Sequence, residues 1–235
     1  MLAAGFVCLA APLQAQFAYV VNDATNDVSA YSIGANGALT PVAGSPFATG
    51  MTPFSVAVSP TAKFAYVAND TSNNVSAYNI GADGALTQLT SLGSPFAAGT
   101  NPISVAVDPT GKFAYVANNG SNNVSAYNIG ANGALTPVPG SPFTAGTNPF
   151  SVAVDPTGKF AYVANQFGHL SSLIGNISAY SIGANGALTP VPGSPFAAGR
   201  NGPLSVAVDP TGKFAYVASD LSNNVLAYSI APTGL

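Results

Sequence analysis

The stretch SVAVDPTGKFAYVAN, at residues 104–118, decides the fold because close copies of it recur along the chain. Its Phe-Ala-Tyr-Val core is present five times, beginning at Phe17, Phe64, Phe113, Phe160 and Phe214. Successive copies therefore start 47, 49, 47 and 54 residues apart. A repeat of this size indicates one structural unit per copy, stacked against its neighbours to bury a shared core.

Each repeat predicts four antiparallel strands, which in the third repeat are residues 104–107, 113–117, 124–129 and 134–138. The first connection, Asp-Pro-Thr-Gly at 108–111, has the Pro and Gly positions of a type I turn. The third contains Asn132-Gly133, which suits a tight hairpin. Consecutive short strands joined in this way at this period are typical of β-propeller blades.

The order of strands within a blade follows from side-chain size and from proline. The first strand contains only Ser, Val and Ala, which fit a crowded central axis. The fourth contains Pro41, Pro137 or Pro190, and proline is confined to sheet edges because it cannot donate to the ladder. The sequence therefore predicts an all-β propeller of four-stranded antiparallel blades, with the first strand innermost.

Five repeats are present, in units of about 17–50, 53–99, 102–146, 149–199 and 203–235. Three are complete and two are partial, because the first lacks an inner strand before Phe17 and the last stops before its outer strand. We therefore expect residues 17–235 to be a fragment or a shortened form of a larger ring.

Residues 1–16 predict an export signal. They are mostly apolar and small, and Leu13-Gln14-Ala15 before Gln16 suits a signal peptidase. The segment is too short to span a bilayer, which takes about 20 residues. A misassigned start and a buried first strand are the alternatives. An export signal predicts a periplasmic or secreted protein that loses Cys8, its only cysteine, so no disulfide is expected.

The composition excludes several classes of protein. Charged residues make up 6% of the chain, against about 25% in a typical domain. Five Lys and Arg against eight acids leave too few cations for nucleic-acid binding. We find no G-x-S-x-G motif, no phosphate-binding glycine loop and no His/Cys metal spacing. The sequence thus predicts no metal, no cofactor, no nucleic-acid partner and no transmembrane span, and we expect a monomer.

The fourth repeat departs from the others between its second and third strands. Five residues, 119–123, make this connection in the third repeat, whereas eleven, 166–176, make it in the fourth. The longer loop contains His169, the only histidine, and the next blade-to-blade connection contains Arg200, the only arginine. Strand alternation places both connections at the same end of the ring, and long loops on a rigid scaffold commonly bind ligands.

The segments at 104–118 and 133–138 resemble the lactonase-type family of seven-bladed propellers. That family includes the propeller 6-phosphogluconolactonases and fungal muconate-cycloisomerising enzymes, and it is related to YVTN-repeat surface proteins. The resemblance covers nearly everything after Gln16, and its motifs are those that build blades. It implies the fold, and it suggests hydrolysis of a small sugar lactone or carboxylic lactone.

If the reaction is the opening of a lactone, residues in and around the irregular loop can be given roles in it. We hypothesise that His169 acts as general base toward water and that Arg200 holds a carboxylate or the developing oxyanion. Asn165, Phe167 and Asn201 then line the site as substrate-binding residues. The alternative is a variable surface loop that contains a His and an Arg by chance.

Two functions therefore remain open. The first is a lactonase, a carboxylic-ester hydrolase. A phosphorylated sugar lactone is disfavoured for it, because Arg200 is the only cation at this end and the four lysines lie opposite. The absence of Glu is a further departure from the acidic and basic pocket expected of the enzymes. The second function is a non-catalytic exported propeller that binds a surface glycan, a peptide or an envelope protein.

Overall fold

The computed structural model describes residues 16–167, 174–200, 202–220 and 222–235. Its regular structure is almost entirely β, in five separate antiparallel sheets that follow the five repeats. The prediction of an all-β propeller with repeated antiparallel blades is confirmed. We number the sheets blade 1 to blade 5 in chain order. The proposed export signal lies outside the described residues.

The strands of the five blades have the following bounds. Blade 1 contains β1 (Gln16–Asn22), β2 (Asp27–Ile33), β3 (Leu39–Pro41) and β4 (Phe47–Ala48). Blade 2 contains β5 (Pro53–Val58), β6 (Phe64–Asn69), β7 (Asn74–Ile80), β8 (Leu86–Gln88), a 3-10 turn (Thr90–Leu92) and β9 (Phe96–Ala97). Blade 3 contains β10 (Pro102–Val107), β11 (Phe113–Asn118), β12 (Asn123–Ile129), β13 (Leu135–Pro137) and β14 (Phe143–Thr144). Blade 4 contains β15 (Thr147–Val154), β16 (Phe160–Phe167), β17 (Ile174–Ile182), β18 (Leu188–Pro190) and β19 (Phe196–Arg200). Blade 5 contains β20 (Pro203–Val208), β21 (Phe214–Ser219) and β22 (Asn224–Ser229).

The outer edge of a complete blade is built from two short strands rather than one. In blade 3, β13 pairs with one end of β12 and β14 pairs with the other. The sequence predicted a single strand at 134–138, but the ladder of β13 ends at Pro137, as that of β8 ends at the equivalent Gln88. Between the two strands, the hydroxyl of Ser141 accepts the N–H of Ala126 at 2.9 Å.

The core lies between the blades. Each apolar cluster combines side chains of two neighbouring sheets. Between blades 3 and 4, the Phe113 ring covers the hairpin glycine Gly186, which has a φ of +82°. A Cβ built on Gly186 would lie 2.4 Å from the Phe113 ring, so only glycine allows this contact. The hairpin glycine is thus both a turn residue and a docking point for the preceding blade.

The two ends of the ring differ in their connections. At one end, which we call the loop end, lie the links between second and third strands and the links between blades. Hydrogen bonds join these two kinds of link directly. The Thr52 N–H donates to Asn26 Oδ1 at 2.7 Å, and the Asn148 N–H donates to Asn122 Oδ1 at 2.7 Å. The other end, the turn end, carries the Asp-Pro-Thr-Gly turns and the hairpins. Strand alternation predicted this division.

Candidate functional site at the loop end of the central channel

The inner strands of blades 2 to 5 line a half-open channel of about 310 Å³, formed by the Ser, Val and Ala residues of β5, β10, β15 and β20. Serine hydroxyls join these strands. Ser55 Oγ accepts the Val105 N–H at 3.2 Å, and Ser104 and Ser151 repeat the contact toward the next blades. The channel wall is therefore uncharged, mostly apolar and fixed by bonds between blades.

A β-bulge interrupts each inner strand where it enters the channel from the loop end. The pairing of β5 with β6 skips Phe54, between Pro53 and Ser55. The same irregularity falls at Phe150 in blade 4, and at the corresponding residues of blades 3 and 5. Bulges of this kind redirect a side chain and are common beside active sites.

The redirected rings of Phe54 and Phe150 meet each other. Their centroids are 5.7 Å apart and the ring planes cross at 85°, an edge-to-face contact. The two residues belong to blades 2 and 4, so the contact reaches past the intervening blade 3. Both rings are half-buried. Since each precedes the first channel-lining residue of its strand, the pair lies at the loop-end mouth of the channel.

The formal charge at the loop end is negative. Four aspartates lie in its connections or at the strand ends beside them, namely Asp23, Asp27, Asp70 and Asp220. All four lysines belong to the turns of the opposite end, at positions 63, 112, 159 and 213. Arg200 is the one Lys or Arg of the sequence that falls at the loop end, where it closes the outer strand β19. Anionic ligands therefore meet unfavourable electrostatics there.

Blade 4 extends further at this end than its neighbours. Its strands β15, β16 and β17 have 8, 8 and 9 residues, whereas β10, β11 and β12 of blade 3 have 6, 6 and 7. The outer strand β19 has 5 residues against 2 in β14. The insertion seen in the sequence thus lengthens the sheet itself and makes the loop end asymmetric.

Arg200 ends β19 and lies opposite Ile174 in the ladder. Ile174 is the first described residue after the irregular loop, so the backbone of Arg200 is at the base of that loop. The predicted general base His169 and the predicted lining residue Asn201 lie outside the described residues. Their proposed roles, and that of the Arg200 guanidinium, stay predictions.

Asn165 does not line an open surface. It is fully buried, and its Nδ2 donates to Asn176 Oδ1 at 2.8 Å and to Ser178 Oγ at 2.9 Å. The same arrangement ties Asn69 and Asn118 to the third strands of blades 2 and 3. The amide nitrogen therefore fastens one strand to the next, and the side chain is not exposed at the surface.

Phe167 is the last residue of β16 and is half-buried, paired in register with Thr147. It lies on the extended part of blade 4, at the loop end where the sequence analysis expected it. Its proposed contact with a ligand stays a prediction.

Phe54 and Phe150 were not predicted as site residues from the sequence. Both occupy the one position of the inner strand that varies between repeats, filled by Phe54, Ile103, Phe150 and Leu204, while the flanking proline and serine stay constant. A variable apolar residue in an otherwise constant strand was the available signal. Its meaning depends on the bulge, which the strand pattern does not reveal.

Within the part of the chain that the structure describes, no group of three or more His, Cys, Asp or Glu side chains is arranged to hold a metal ion. No helix there is long and apolar enough to cross a membrane.

Comparison with known proteins places these features in a family. The family model described as "Lactonase, 7-bladed beta-propeller" matches residues 10–174. No curated protein matches the chain.

Several solved structures share the fold. A candidate 6-phosphogluconolactonase from Bacteroides uniformis aligns with a TM-score of 0.78 and 22% identity, over 97% of this chain and 67% of that one. The periplasmic gluconolactonase PpgL of Pseudomonas aeruginosa aligns with a TM-score of 0.74 and 18% identity, over 94% and 65% of the two chains. A chain of a nidogen/laminin complex aligns with a TM-score of 0.60 and 13% identity, over 91% and 71%.

At these identities the structural likeness shows the fold alone, and it extends both to lactonase-type propellers and to a propeller seen in a protein complex. The chain spans about two thirds of the length of the two lactonase-type structures. The family match covers well over half of the sequence. The chain therefore belongs to the lactonase family of seven-bladed β-propellers, of whose blades it contains five repeats.

Proposed function

We propose that this protein is a lactonase that opens an uncharged lactone at the loop end of its channel. Water adds to the ring carbonyl, the bond from that carbon to the ring oxygen breaks, and the ring oxygen takes up a proton. The product is the hydroxy acid, which ionises at neutral pH. Family membership supports this reaction class.

The observation that carries the proposal is the asymmetric loop end above a neutral channel. Blades 2 to 5 share one inner-strand pattern, and among them blade 4 alone extends its sheet at the loop end. A reaction needs one distinct place in a repeated structure, and this extension provides it. The irregular loop of the same blade carries His169 in the sequence, and β19 brings the backbone of Arg200 to its base.

In this proposal His169 removes a proton from the attacking water, since a neutral imidazole is a suitable base near pH 7. Arg200 stabilises the negative charge that develops on the carbonyl oxygen. The aspartates of the loop end then favour release of the product, because the new carboxylate is repelled by them. Export through residues 1–16 would place the reaction outside the cytoplasm.

Acid release in a pH-stat tests the reaction class. The chain is incubated with glucono-δ-lactone, with δ-valerolactone and with glucono-δ-lactone 6-phosphate, and the rate with heat-denatured protein is subtracted. We expect turnover of the two uncharged lactones and slower turnover of the phosphorylated one. No acid release above background with any of the three overturns the proposal.

Non-catalytic binding is the second candidate function, and the rigidity of the loop end favours it. Asparagine side chains cross-link the connections, as in the 2.8 Å bond from the Asn101 N–H to Asn73 Oδ1. A stiff, polar surface of this kind suits recognition of a glycan or of an envelope protein. Binding of glycans to the purified chain, in the absence of any lactone turnover, would favour this alternative.

A further inference from the structure

We propose that Phe54 and Phe150 form a selectivity platform at the channel mouth, which favours uncharged lactones carrying an apolar or aromatic ring face. This inference rests on the proposed lactonase function and names its substrate class. It adds two positioning residues that do not take part in the bond changes themselves.

The geometry of the pair supports this role. An edge-to-face contact with centroids 5.7 Å apart holds each ring in a fixed orientation through the other. Neither residue is fully buried, so part of each remains open to a ligand. The bulge at each residue turns its side chain out of the ladder pattern, and the short Ser-Val-Ala strand that follows leaves room beneath.

The surroundings favour a neutral, apolar ligand over a charged or heavily hydroxylated one. The wall below the pair is formed by the Ser, Val and Ala residues of the inner strands, and serine oxygens there already accept N–H groups from the next blade. A polyol would lose bonds to water that this uncharged, mostly apolar wall replaces only in part. A phosphate or carboxylate would also face the aspartates of the loop end.

The size of the channel agrees with a small bicyclic lactone. Its volume of about 310 Å³ is at the lower limit of ligand pockets, which begin near 300 Å³. A benzo-fused δ-lactone can place its aromatic ring against the Phe54 and Phe150 rings and its ester toward the asymmetric side of blade 4. The aromatic contact then contributes to binding, while the chemistry depends on other groups.

The kinetic test compares 3,4-dihydrocoumarin, an aromatic lactone, with glucono-δ-lactone. We expect a higher kcat/KM for dihydrocoumarin. The double substitution Phe54→Leu, Phe150→Leu keeps apolar volume and the fold but removes both aromatic faces. It should lower the preference for the aromatic lactone about tenfold, since a single aromatic contact accounts for roughly a two- to twelve-fold effect. The loss should appear mainly in KM.

Phe143→Leu is the matched control, because Phe143 is also half-buried but belongs to the outer edge of blade 3. It should leave the preference unchanged. An equal preference in the wild-type chain for both lactones, or an unchanged preference in the double variant, overturns the inference while leaving the lactonase function intact.

A binding measurement separates the two proposals if no lactone is turned over. Chroman, which has the same bicyclic frame without an ester, and 1,5-anhydroglucitol, a cyclic polyol, are titrated by ligand-observed NMR. Binding of chroman that the Phe54→Leu, Phe150→Leu variant weakens and Phe143→Leu does not supports the platform, even for a non-catalytic protein. Tighter binding of the polyol, or none of chroman, overturns it.

Discussion

The hydroxyl of Tyr115 donates a 3.0 Å hydrogen bond to the carbonyl oxygen of Gly186, which joins the second strand of blade 3 to the hairpin of blade 4. Tyr19 and Tyr66 make the same contact from blades 1 and 2. Tyr162 occupies this position in blade 4, but its buried hydroxyl has no hydrogen-bond partner among the described residues. Tyrosines at equivalent positions of the blades therefore differ in whether the hydroxyl group makes this hydrogen bond.

This difference predicts unequal effects of removing the hydroxyl. Tyr115→Phe leaves the buried Gly186 carbonyl without its donor and should lower the free energy of unfolding by roughly 1–2 kcal/mol. Tyr162→Phe removes a hydroxyl that has no partner and should be neutral or slightly stabilising. Urea unfolding followed by circular dichroism measures both. Equal losses in the two variants would show that the bond between blades contributes nothing specific.

The same buried tyrosines predict a loss of stability at alkaline pH. Burial raises the pKa of Tyr66, Tyr115 and Tyr162 above the ordinary value of about 10, with Asp108 and Asp155 adding to the effect on the latter two. Above about pH 10 the unfolded chain loses protons that the folded protein keeps, so the free energy of unfolding falls as pH rises. Below pH 10 both states are protonated and these groups add no pH dependence.

Urea midpoints at pH 8, 10 and 11 test this expectation. Each such tyrosine contributes up to about 1.4 kcal/mol per pH unit above its unfolded pKa. We expect little change between pH 8 and 10 and a clear fall between 10 and 11. The Tyr162→Phe variant, which has one buried tyrosine fewer, should show a shallower fall. A midpoint that stays constant up to pH 11 contradicts the prediction.

Blade 2 has an alanine where the other turns of this type have glycine. Ala62 has a φ of +54°, and its counterparts Gly111, Gly158 and Gly212 have φ values of +72°, +69° and +69°. A left-handed conformation costs a residue with a Cβ about 1–2 kcal/mol, and the greater freedom of glycine in the unfolded chain offsets part of this. Ala62→Gly should therefore stabilise the protein by roughly 0.5–1 kcal/mol.

Gly111→Ala is the reciprocal variant, since it introduces a Cβ at the same turn position of blade 3. It should destabilise the protein by a similar amount, and thermal unfolding of both variants provides the comparison. A destabilising Ala62→Gly would mean that the turn of blade 2 is not strained by its alanine.

Much of the fold could be predicted from the repeat. The strand order within a blade and the two ends of the ring followed from turn chemistry, from strand alternation and from prolines such as Pro137. The division of the outer edge into β13 and β14 could not be predicted. It depends on Phe143 returning to pair with β12 after a connection in which the ladder is broken. The constant Gly-Ser-Pro-Phe of the first four repeats marks this point in the sequence, but a strand of two residues such as β14 is too short to show an alternating pattern.

The site was less predictable, because it depends on how the blades meet around the axis. The extra length of the fourth loop was visible in the sequence, and it does lengthen blade 4. Asn165 looked available for a ligand, yet its donors are taken up by Asn176 and Ser178, a choice made by the packing of two strands. The meeting of Phe54 with Phe150, 96 positions later in the chain, arises only when three blades are assembled.

The proposed catalytic roles give the last prediction. His169→Ala should lower kcat for an uncharged lactone by about 10²- to 10⁴-fold, since a positioned general base typically contributes that much. Arg200→Ala should also lower kcat, because it removes charge stabilisation from the transition state, and Arg200→Lys should restore part of the rate. Lys112→Ala, at the turn end, is a matched change of a cation distant from the mouth and should have no effect. Wild-type turnover in both His169→Ala and Arg200→Ala would remove these residues from the mechanism and would place the chemistry elsewhere on the loop end.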